Sequence, residues 1–373
     1  MSWPTVKLGD VAEFINGAAF RPEDWGDEGL KIIRIQNLTD KAKLFNRTKR
    51  VVDKKLHIEK EDILVSWSAT LGVYIWDDEE VGLLNQHIFK VVPNLKLVDK
   101  NYLQKALVGA LNNMNKHLHG ATMKHVNRGE FLATEIPLPP LAEQQRIAAI
   151  LDKAELIKRN RELVIEKLDE LAQSVFIEMF GNPISNSHGY SIKTLKELGN
   201  VKTGGTPPSA LDNMFGGDIP FITPGDLNSG VDVRRHLTRD GASQSVVVKK
   251  GSALVCCIGA TIGKMAKANS ECAFNQQINA IEWGGEVDDD YGIFALTLMK
   301  PIIISSATST TLPILNKTSF EKIKFPVPPI EKQAIFSKTV KKLEQLKAMS
   351  FNSKNLAINS MASLQSQAFS GQL

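Results

Sequence analysis

The sequence predicts a mixed α/β fold of the α+β class, in which one domain and one long helix occur twice in tandem. Three pairs of short motifs indicate the repeat, since each motif occurs once in either half of the chain. The pairs are residues 69–72 with 260–263, residues 85–88 with 275–278, and residues 136–141 with 325–330. A tandem repeat predicts two similar but non-identical domains related by approximate two-fold symmetry.

The motif order divides the chain into four segments. Residues 1–140 and 182–329 are the predicted domains, and residues 141–181 and 330–373 are the predicted helices. With 373 residues, 43% of them hydrophobic and 23% charged, the chain is long enough for each domain to bury its own core. No apolar run approaches the ~20 residues that a membrane span requires, so we expect a cytoplasmic protein without a membrane partner.

Matching strand signals occur in both predicted domains. A polar turn precedes an apolar run at residues 63–67 and again at residues 253–257, which predicts a buried strand in each domain. Gln86 and Gln276 are expected to be core amides within apolar strands. Further predicted segments are strands at 31–35 and 219–223 and helices at 102–118 and 291–305.

The first long helix is predicted from apolar residues that alternate at spacings of three and four, with Arg161 as a polar interruption. These residues are Ile147, Ile150, Ala154, Ile157, Val164, Leu168, Leu171 and Val175. Gly181 and Pro183 are expected to end the helix, because glycine accepts a left-handed conformation and proline cannot continue a helix. At 1.5 Å per residue, about 40 residues span about 60 Å, or roughly 17 base pairs of B-DNA.

The second long helix is predicted after Pro329, and its middle is rich in serine and alanine. Its larger apolar residues are Phe336, Val340, Leu343, Leu346, Leu356, Leu364 and Phe369. Small residues let two helix backbones approach closely, so we expect the two helices to form an antiparallel coiled coil. The first helix is net acidic and the second net basic, which suits such a pair. Two independent amphipathic linkers are the alternative.

Composition limits the remaining function classes only weakly. The net charge of +4 permits nucleic-acid binding without establishing it. Cys256, Cys257 and Cys272 make no disulfide framework and no zinc-ligand spacing, so we expect reduced, buried residues and no metal site.

Residues 136–147, Ile-Pro-Leu-Pro-Pro-Leu-Ala-Glu-Gln-Gln-Arg-Ile, follow a predicted strand and open the first long helix. A shorter second copy, Pro-Val-Pro-Pro-Ile-Glu-Lys-Gln, occupies residues 326–333. With the domain openings at residues 3–11 and 190–198, this pattern strongly resembles type I restriction-modification specificity subunits. The resemblance covers essentially the whole chain.

The resemblance implies two target-recognition domains joined by antiparallel helices, each domain reading one half of an asymmetric bipartite site in double-stranded DNA. It also implies that the helices dock two methyltransferase subunits and that the complex recruits restriction and translocase subunits. The assembled complex would be an adenine DNA methyltransferase and an ATP-dependent endonuclease. S-adenosylmethionine, ATP and Mg²⁺ are expected only in the partner subunits, and no cofactor is expected in this chain.

No catalytic residue is predicted, so the chain is not expected to be an enzyme. Residues 259–264 are too closely spaced for a phosphate-binding loop, and Met265 stands where Ser or Thr would hold magnesium. Residues 182–185, Asn-Pro-Ile-Ser, lack the second proline and the aromatic residue of an adenine methyltransferase motif. Residues 288–290, three aspartates, are expected to form a solvated turn.

Cationic residues cluster at matching places of the two domains, where they could neutralise DNA phosphates without reading sequence. These phosphate candidates are Lys49, Arg50, Lys54, Lys55, Arg234, Arg235 and Arg239. A solvated basic loop is the open alternative for this group.

A polar segment precedes the conserved strand of each domain and differs between the copies, as different half-sites would demand. Asn127 and Asn316 occur in both copies and are expected to cap turns. The segment and the glycine-containing loop at residues 16–21 supply the base-reading candidates, which are Arg21, Lys124, His125, Arg128 and Lys317.

The long helices supply the residues expected to dock partner subunits. They are Ile147, Ile150, Ile157, Val164, Leu168, Leu171, Val340, Leu343, Leu346 and Leu364.

Two alternatives to a DNA-binding subunit remain open. One is a protein-only scaffold with degenerate recognition domains, and the other is a catalytic DNA methyltransferase, against which the missing cofactor loop argues.

Overall fold

The computed structural model describes residues 3–117, 127–208, 212–227, 233–308 and 312–372. The chain forms two compact units, of which the first comprises Met1–Glu162 with Asn352–Leu373 and the second Leu163–Phe351. Each unit contains one copy of the repeat and about half of each long helix. The four-segment division drawn from the sequence stays a prediction of domain organisation.

The first unit alternates short strands and helices before the first long helix begins. Its strands are β1 (Thr5–Lys7), β2 (Ala12–Asn16), β3 (Leu30–Ile33), β4 (Asn46–Thr48), β5 (His57–Ile58), β6 (Ile63–Ser66), β7 (Gly72–Ile75), β8 (Gly82–Leu84), β9 (Ile88–Pro93) and β10 (Glu135–Pro137). Its helices are α1 (Leu8–Val11), α2 (Ile35–Thr39), α3 (Lys100–His117), α4 (Arg128–Leu132) and the start of α5 (Leu141–Phe180).

The second unit repeats the order of the strands after α5 ends, with helices that differ in number and position. Its strands are β11 (Ser191–Thr194), β12 (Gly199–Thr203), β13 (Phe215–Ile222), β14 (His236–Leu237), β15 (Val247–Val248), β16 (Ala253–Cys256), β17 (Met265–Lys267), β18 (Cys272–Phe274), β19 (Ile278–Trp283) and β20 (Lys324–Val327). Its helices are α6 (Leu195–Leu198), α7 (Arg239–Ser243), α8 (Asp289–Leu298), α9 (Lys300–Ser305), α10 (Lys317–Glu321) and the start of α11 (Ile330–Ser370).

The described residues of the two units have the same sheet topology. In the first unit an antiparallel sheet has the order β2-β9-β6-β7, a mixed sheet has the order β4-β3-β8-β5, and β1 pairs with β10. The second unit has the orders β12-β19-β16-β17 and β14-β13-β18-β15, and β11 pairs with β20. The pairs β3–β8 and β13–β18 are parallel, whereas the other pairs are antiparallel. The repeated motifs therefore reflect a repeated fold.

The predicted central strands and long helices are confirmed. All four residues of β6 and of β16 are buried, as an apolar run bounded by turns predicts. Helix α5 ends where expected, because Gly181 has a φ of 73° and its N–H donates to the Ile177 carbonyl at 2.8 Å. None of the helices in the described ranges is both long and apolar enough to cross a lipid bilayer.

Within each unit the two long helices run antiparallel. In the first unit Ile147 and Leu151 share a core with Ala368, and Lys354 Nζ lies 3.0 Å from Glu162 Oε1. The residue order on one helix is therefore reversed on the other.

The second unit has the same antiparallel arrangement. The Phe176 and Phe180 rings lie 5.3 and 5.5 Å from the Phe336 ring, and Lys347 Nζ lies 2.6 Å from Asp169 Oδ1. The predicted pairing of the helices thus holds inside each unit.

Two predictions about the second unit are wrong. Residues 291–305 form two helices rather than one, because Pro301 lacks an N–H and the chain turns at Met299 before it. The three aspartates are not a solvated turn. Asp288 caps α8, and Asp290 is buried, with its Oδ2 accepting from the Ser337 hydroxyl and lying 3.3 Å from Lys341 Nζ.

Candidate nucleic-acid interface

In each unit one end of the antiparallel sheet carries the loops that the sequence motifs occupy. The C-terminal ends of β2 and β6 lie beside the N-terminal ends of β9 and β7, so the loops that follow or precede them gather at one edge. We call this the loop edge of the first unit, formed by residues 16–20, 67–71 and 85–87. The loop edge of the second unit is formed by residues 203–206, 257–264 and 275–277, by the same topology.

Glycines at the loop edge let two turns cross in close contact. A Cβ on Gly17 would lie 2.0 Å from the Asn85 carbonyl oxygen, and a Cβ on Gly204 would lie 2.2 Å from that of Asn275. Backbone hydrogen bonds fix the crossing, since the Gln86 N–H donates to the Ala18 carbonyl at 2.8 Å. These glycines are therefore explained by the packing of the turns themselves.

Gln86 and Gln276 are not core amides, which corrects the prediction from sequence. Both side chains are exposed, because each residue lies in the turn between two strands rather than within an apolar strand. The Gln276 Oε1 accepts from the Thr206 hydroxyl at 2.8 Å. His87, next to Gln86, has a φ of 73°, so the turn has a left-handed residue that turns the chain sharply into β9.

Trp67 belongs to the loop edge of the first unit, and Arg128 lies beside it. The Trp67 ring stacks on Phe89 with centroids 5.6 Å apart, and its Nε1 donates to Asn16 Oδ1 at 3.3 Å. Arg128 is exposed, and its Nη2 donates to the Phe14 carbonyl of β2 at 3.4 Å. Arg128 is thus a base-reading candidate that the fold brings beside the repeated motifs.

The other base-reading candidates have different surroundings. Lys317, on α10, is exposed, and its Nζ lies 3.7 Å from Glu321 Oε1. Arg21 is exposed near Glu23, at 3.7 Å between Nη1 and Oε1. Lys124 and His125 lie outside the described residues.

The polar segment of the second unit also meets its loop edge. The Leu315 N–H donates to the Cys257 carbonyl at 2.8 Å, and the Gly259 N–H donates to the Pro313 carbonyl at 2.9 Å. Asn127 and Asn316 cap their helices as predicted, accepting from the N–H groups of Gly129 and Ser319 at 2.8 and 2.9 Å.

The phosphate candidates of the first unit are exposed and several have acidic partners. Lys49 pairs with Glu28, and Lys55 Nζ lies 3.5 Å from Asp53 Oδ2. Arg50 donates to the Ala19 carbonyl at 2.9 Å and to Asp24 at 3.1 Å. The Arg21 backbone N–H, followed by the Arg50 guanidinium, lowers the pKa of Asp24. Lys54 is exposed in a 3-10 turn and has no carboxylate partner among the described residues.

The pairing of the strands shows that only some of the phosphate candidates occupy equivalent positions in the two units. Thr48 pairs with Leu30 in β3, and Leu237 pairs with Ile219 at the matching place in β13. Arg239 therefore corresponds to Arg50, whereas Arg234 and Arg235 lie at the other end of the strand. The Arg235 guanidinium lies 4.4 Å from the Phe215 ring centroid and 5.3 Å from that of Phe221, a stacking contact with its own fold.

The helix positions expected to dock partners divide into buried and exposed groups. Ile147 and Val340 are buried in the cores of their own units, so for these two the expectation is wrong and they stabilise the fold instead. Ile157, Leu171 and Leu346 are 50, 48 and 49% exposed. Val164 is also exposed, whereas Ile150, Leu168, Leu343 and Leu364 are partly buried.

Further exposed apolar residues, which are not among the predicted docking positions, lie on the same helices. They include Leu156, Leu356 and Ile358 in the first unit and Leu163, Met349 and Phe351 in the second. Helices that leave so many large apolar side chains in water present a surface suited to a protein partner. On α5 the heptad pattern missed Leu156 and Leu163 because each lies one residue before a seam position.

Comparison with known proteins supports the repeat and its motifs. The family described as the type I restriction modification DNA specificity domain matches residues 1–167 and again residues 188–359. The EcoBI specificity subunit of Escherichia coli is 24% identical, with 100% of this chain and 86% of that protein covered. The HindI specificity subunit of Haemophilus influenzae is 30% identical over 41% of this chain and 35% of that protein.

Solved structures share the fold over nearly the whole chain. The S subunit of a type I restriction-modification system from M. genitalium superposes with a TM-score of 0.62 at 17% identity, covering 99% of this chain and 96% of that one. A chain solved in work on complex assembly and conformational transition of the type I R-M system gives a TM-score of 0.61 at 18% identity, covering 100% and 98%. The chain therefore belongs to the type I restriction modification DNA specificity family, with one specificity domain in each half.

Proposed function

We propose that this chain is the non-catalytic subunit that selects the DNA site of a type I restriction-modification complex. Each unit would read one half of an asymmetric bipartite site in double-stranded DNA, and the long helices would set the spacer between the halves. The chain would work in the cytoplasm, where it meets genomic and incoming DNA. The observation that carries the proposal is the duplicated loop edge, whose strand order and glycine-mediated turn crossing are the same in both units while its side chains differ.

The shared frame and the different side chains have separate roles in this proposal. A frame built from crossing turns, such as that of Gly17 on Asn85, holds neighbouring side chains in a fixed geometry. Side chains that change between the copies, such as His87 and Gln277, would give each unit its own sequence preference. Cations such as Lys54 and Arg239 would contact phosphates and fix the register on the duplex.

The exposed apolar residues of α5 and α11 support docking of partner proteins. We assign them to contacts with two methyltransferase subunits, through which restriction and translocase subunits would join the complex. S-adenosylmethionine, ATP and Mg²⁺ would then be bound by the partners, which would carry adenine methylation and ATP-dependent cleavage. This division of labour fits a chain in which the sequence supplies no cofactor loop.

Co-expression in a host without DNA methylation tests the proposal. The chain and the methyltransferase subunit encoded beside it are expressed together, and N6-methyladenine is mapped across the DNA by single-molecule sequencing. We expect a bipartite asymmetric motif that disappears when this chain is omitted. Methylation that is independent of the chain would favour the protein-only scaffold, and so would a complete absence of methylation from an assembled complex.

A further inference from the structure

A cavity of about 240 Å³ opens at the loop edge of the first unit and is lined by two aromatic rings and several polar side chains. It lies between the loop after β2, the end of β3 and the turn that joins β8 to β9. The polar lining residues are Arg34, Gln36, Asn85, Gln86 and His87, and the aromatic ones are Phe20 and Trp25.

Arg34 is a positioned cation without an acidic partner. Its guanidinium lies 5.0 Å from the Trp25 ring centroid, and no carboxylate pairs with it in the parts of the chain that the structure describes. Its backbone is fixed, because the Arg34 N–H donates to Asn37 Oδ1 at 3.1 Å. Stacking on a ring restricts the side chain before any ligand arrives.

The neighbouring cations on the same sheet contrast with Arg34. Lys31 Nζ lies 2.6 Å from Asp78 and 2.9 Å from Glu80, and Arg47 Nη1 lies 2.6 Å from Glu80. Hydrogen bonds from Arg47 and then Lys31 lower the pKa of Glu80 to about 2. The charges of these two cations are therefore satisfied within the protein, whereas Arg34 has no such carboxylate partner among the described residues.

Gln86 also lines the cavity, and its backbone is equally fixed. Its N–H donates to the Ala18 carbonyl at 2.8 Å, and the preceding Asn85 N–H donates to the Ile33 carbonyl at 3.2 Å. The side chain is exposed and makes no hydrogen bond within the described residues. In the second unit the corresponding Gln276 is engaged by Thr206.

The two units differ at this cavity while keeping its frame. Asn37 Oδ1 accepts from the Arg34 N–H at 3.1 Å, and Asp226 Oδ2 accepts from the Thr223 N–H at 2.9 Å. Ile33 pairs with Leu84 and Ile222 pairs with Phe274, and each partner directly precedes the Asn-Gln turn of its unit. Arg34 therefore corresponds to Thr223. An arginine in one copy and a threonine in the other at an identical backbone position is the difference expected of a residue that contacts different bases.

We propose that Arg34 and Gln86 contact base edges in the half-site bound by the first unit, an inference that rests on the function proposed above. A guanidinium donates two parallel hydrogen bonds to guanine O6 and N7, and a glutamine amide both donates to N7 and accepts from N6 of adenine. The half-site of the first unit would therefore contain a guanine and an adenine within reach of one cavity. The second unit, with Thr223, would not require the same guanine.

Methylome mapping of three variants, each in the intact complex, tests this assignment. Arg34→Thr introduces the residue of the second unit, and Gln86→Ala removes the exposed amide. Lys96→Thr is the matched control, since Lys96 is an exposed cation after the other end of β9. We expect Arg34→Thr to reduce the preference at one position of one half-site by about 10- to 100-fold. Gln86→Ala should relax a second position, and the other half-site, the spacer and the control motif should not change.

The remaining outcomes also decide the question. An unchanged motif in both variants overturns the assignment. A lower melting temperature of the purified Arg34→Thr complex together with general loss of methylation also overturns it, because Arg34 would then be structural. Loss of methylation at an unchanged melting temperature supports it. A wild-type complex without a chain-dependent bipartite motif overturns the proposed function itself, which distinguishes the two failures.

Discussion

At the residue scale, Gln144 and Gln333 make the same three hydrogen bonds in the two copies. Gln144 Oε1 accepts from the Asp99 N–H at 2.7 Å, and its Nε2 donates to the Leu97 and Pro139 carbonyls at 3.0 and 2.8 Å. Gln333 repeats this pattern with the Asp288 N–H and the Glu286 and Pro328 carbonyls. Each glutamine is fully buried and joins the first turn of a long helix to its unit. The motif that carries the family resemblance therefore has a structural role.

Substituting Gln144 with alanine should destabilise the first unit. The change removes the partner of the half-buried Asp99 N–H and of the Pro139 and Leu97 carbonyls, of which Pro139 is buried and Leu97 exposed. Each group left unsatisfied away from water costs roughly 1–3 kcal/mol. We expect a loss of at least about 2 kcal/mol in the free energy of unfolding, measured by denaturant titration of the whole chain. Gln145→Ala is the matched control, because Gln145 is exposed. Equal stability of the two variants would show that the hydrogen bonds contribute nothing.

Substitution of Lys54 tests the proposed phosphate contacts, because its side chain is exposed and has no acidic partner in the described ranges. Replacing it with alanine should weaken binding of the assembled complex to specific and random duplexes alike. The slope of log affinity against log salt should decrease by about 1, as expected for one lost phosphate contact. Binding isotherms at several salt concentrations measure this slope. Lys96→Ala serves as the control, and a slope change that both variants share would rule out a local contact.

Sequence reasoning at this scale succeeded for caps and failed for exposed turn residues. Asn127 and Asn316 were predictable because Asn at a helix start has a local hydrogen-bonding role. Gln86 was misassigned because apolar runs flank the short Asn-Gln-His segment on both sides, and only the crossing of the Gly17 loop reveals that it lies in a turn. Arg34 carried no signal of its own, since its exposure and its stacking on Trp25 depend on the tertiary fold.

At the element scale, Ser350 of α11 is buried beside α5, whereas the large apolar residues on either side of it face water. Ser350 is only 7% exposed and lies one turn after Lys347, which pairs with Asp169 of α5. Met349 and Phe351, on either side of it, are 68 and 47% exposed. Close approach of two helices favours serine and alanine at the contact, and the outward apolar residues are left for a partner.

Ser350→Leu should therefore disturb the helix pair of the second unit. A larger side chain in a closely packed contact usually costs about 1–3 kcal/mol. We expect a lower melting temperature of the whole chain by differential scanning calorimetry. Ser360→Leu provides the comparison, because Ser360 lies on the same helix and is exposed. A Ser350→Leu variant as stable as this comparison would argue against close packing there.

Insertion of one heptad into both long helices tests whether they measure the spacer. The insertions would be made at the level of the Glu162–Lys354 pair, so that the contacts on either side keep their order. Seven residues add about 10 Å, so the spacer should lengthen by about 3 base pairs with both half-sites unchanged. Methylome mapping gives the spacer directly. An unchanged spacer would contradict the role of the helices as a ruler, and insertion into one helix alone should disrupt the pair.

The elements were largely predictable because the repeat doubles every signal. Heptad spacing, a terminal glycine and apolar runs are local patterns that identify α5, α11, β6 and β16. The faces of the helices were less predictable, since periods of 3.5 and 3.6 residues diverge over a helix as long as α5. Residues such as Ile157 and Leu171 lie on the predicted seam, yet they are exposed because the buried stripe passes beside them.

At the scale of the whole molecule, the chain repeats one fold with two sets of surface residues. The sheet orders of the two units match strand for strand, and the cores of both use residues from both long helices. Two copies of one fold would allow a protein to recognise two unrelated half-sites, because the loop edge of each copy can change while the strands that carry it are kept. We therefore expect the two units to read their half-sites independently of each other.

Exchange of one predicted domain tests whether the two units are independent. Residues 1–140 would be replaced by the corresponding domain of a relative with a different site, and the co-expressed complex would be mapped for N6-methyladenine. We expect one half-site to change to that of the relative while the other half-site and the spacer are retained. Simultaneous change of both half-sites would contradict it, because the two units would then read DNA as a single surface.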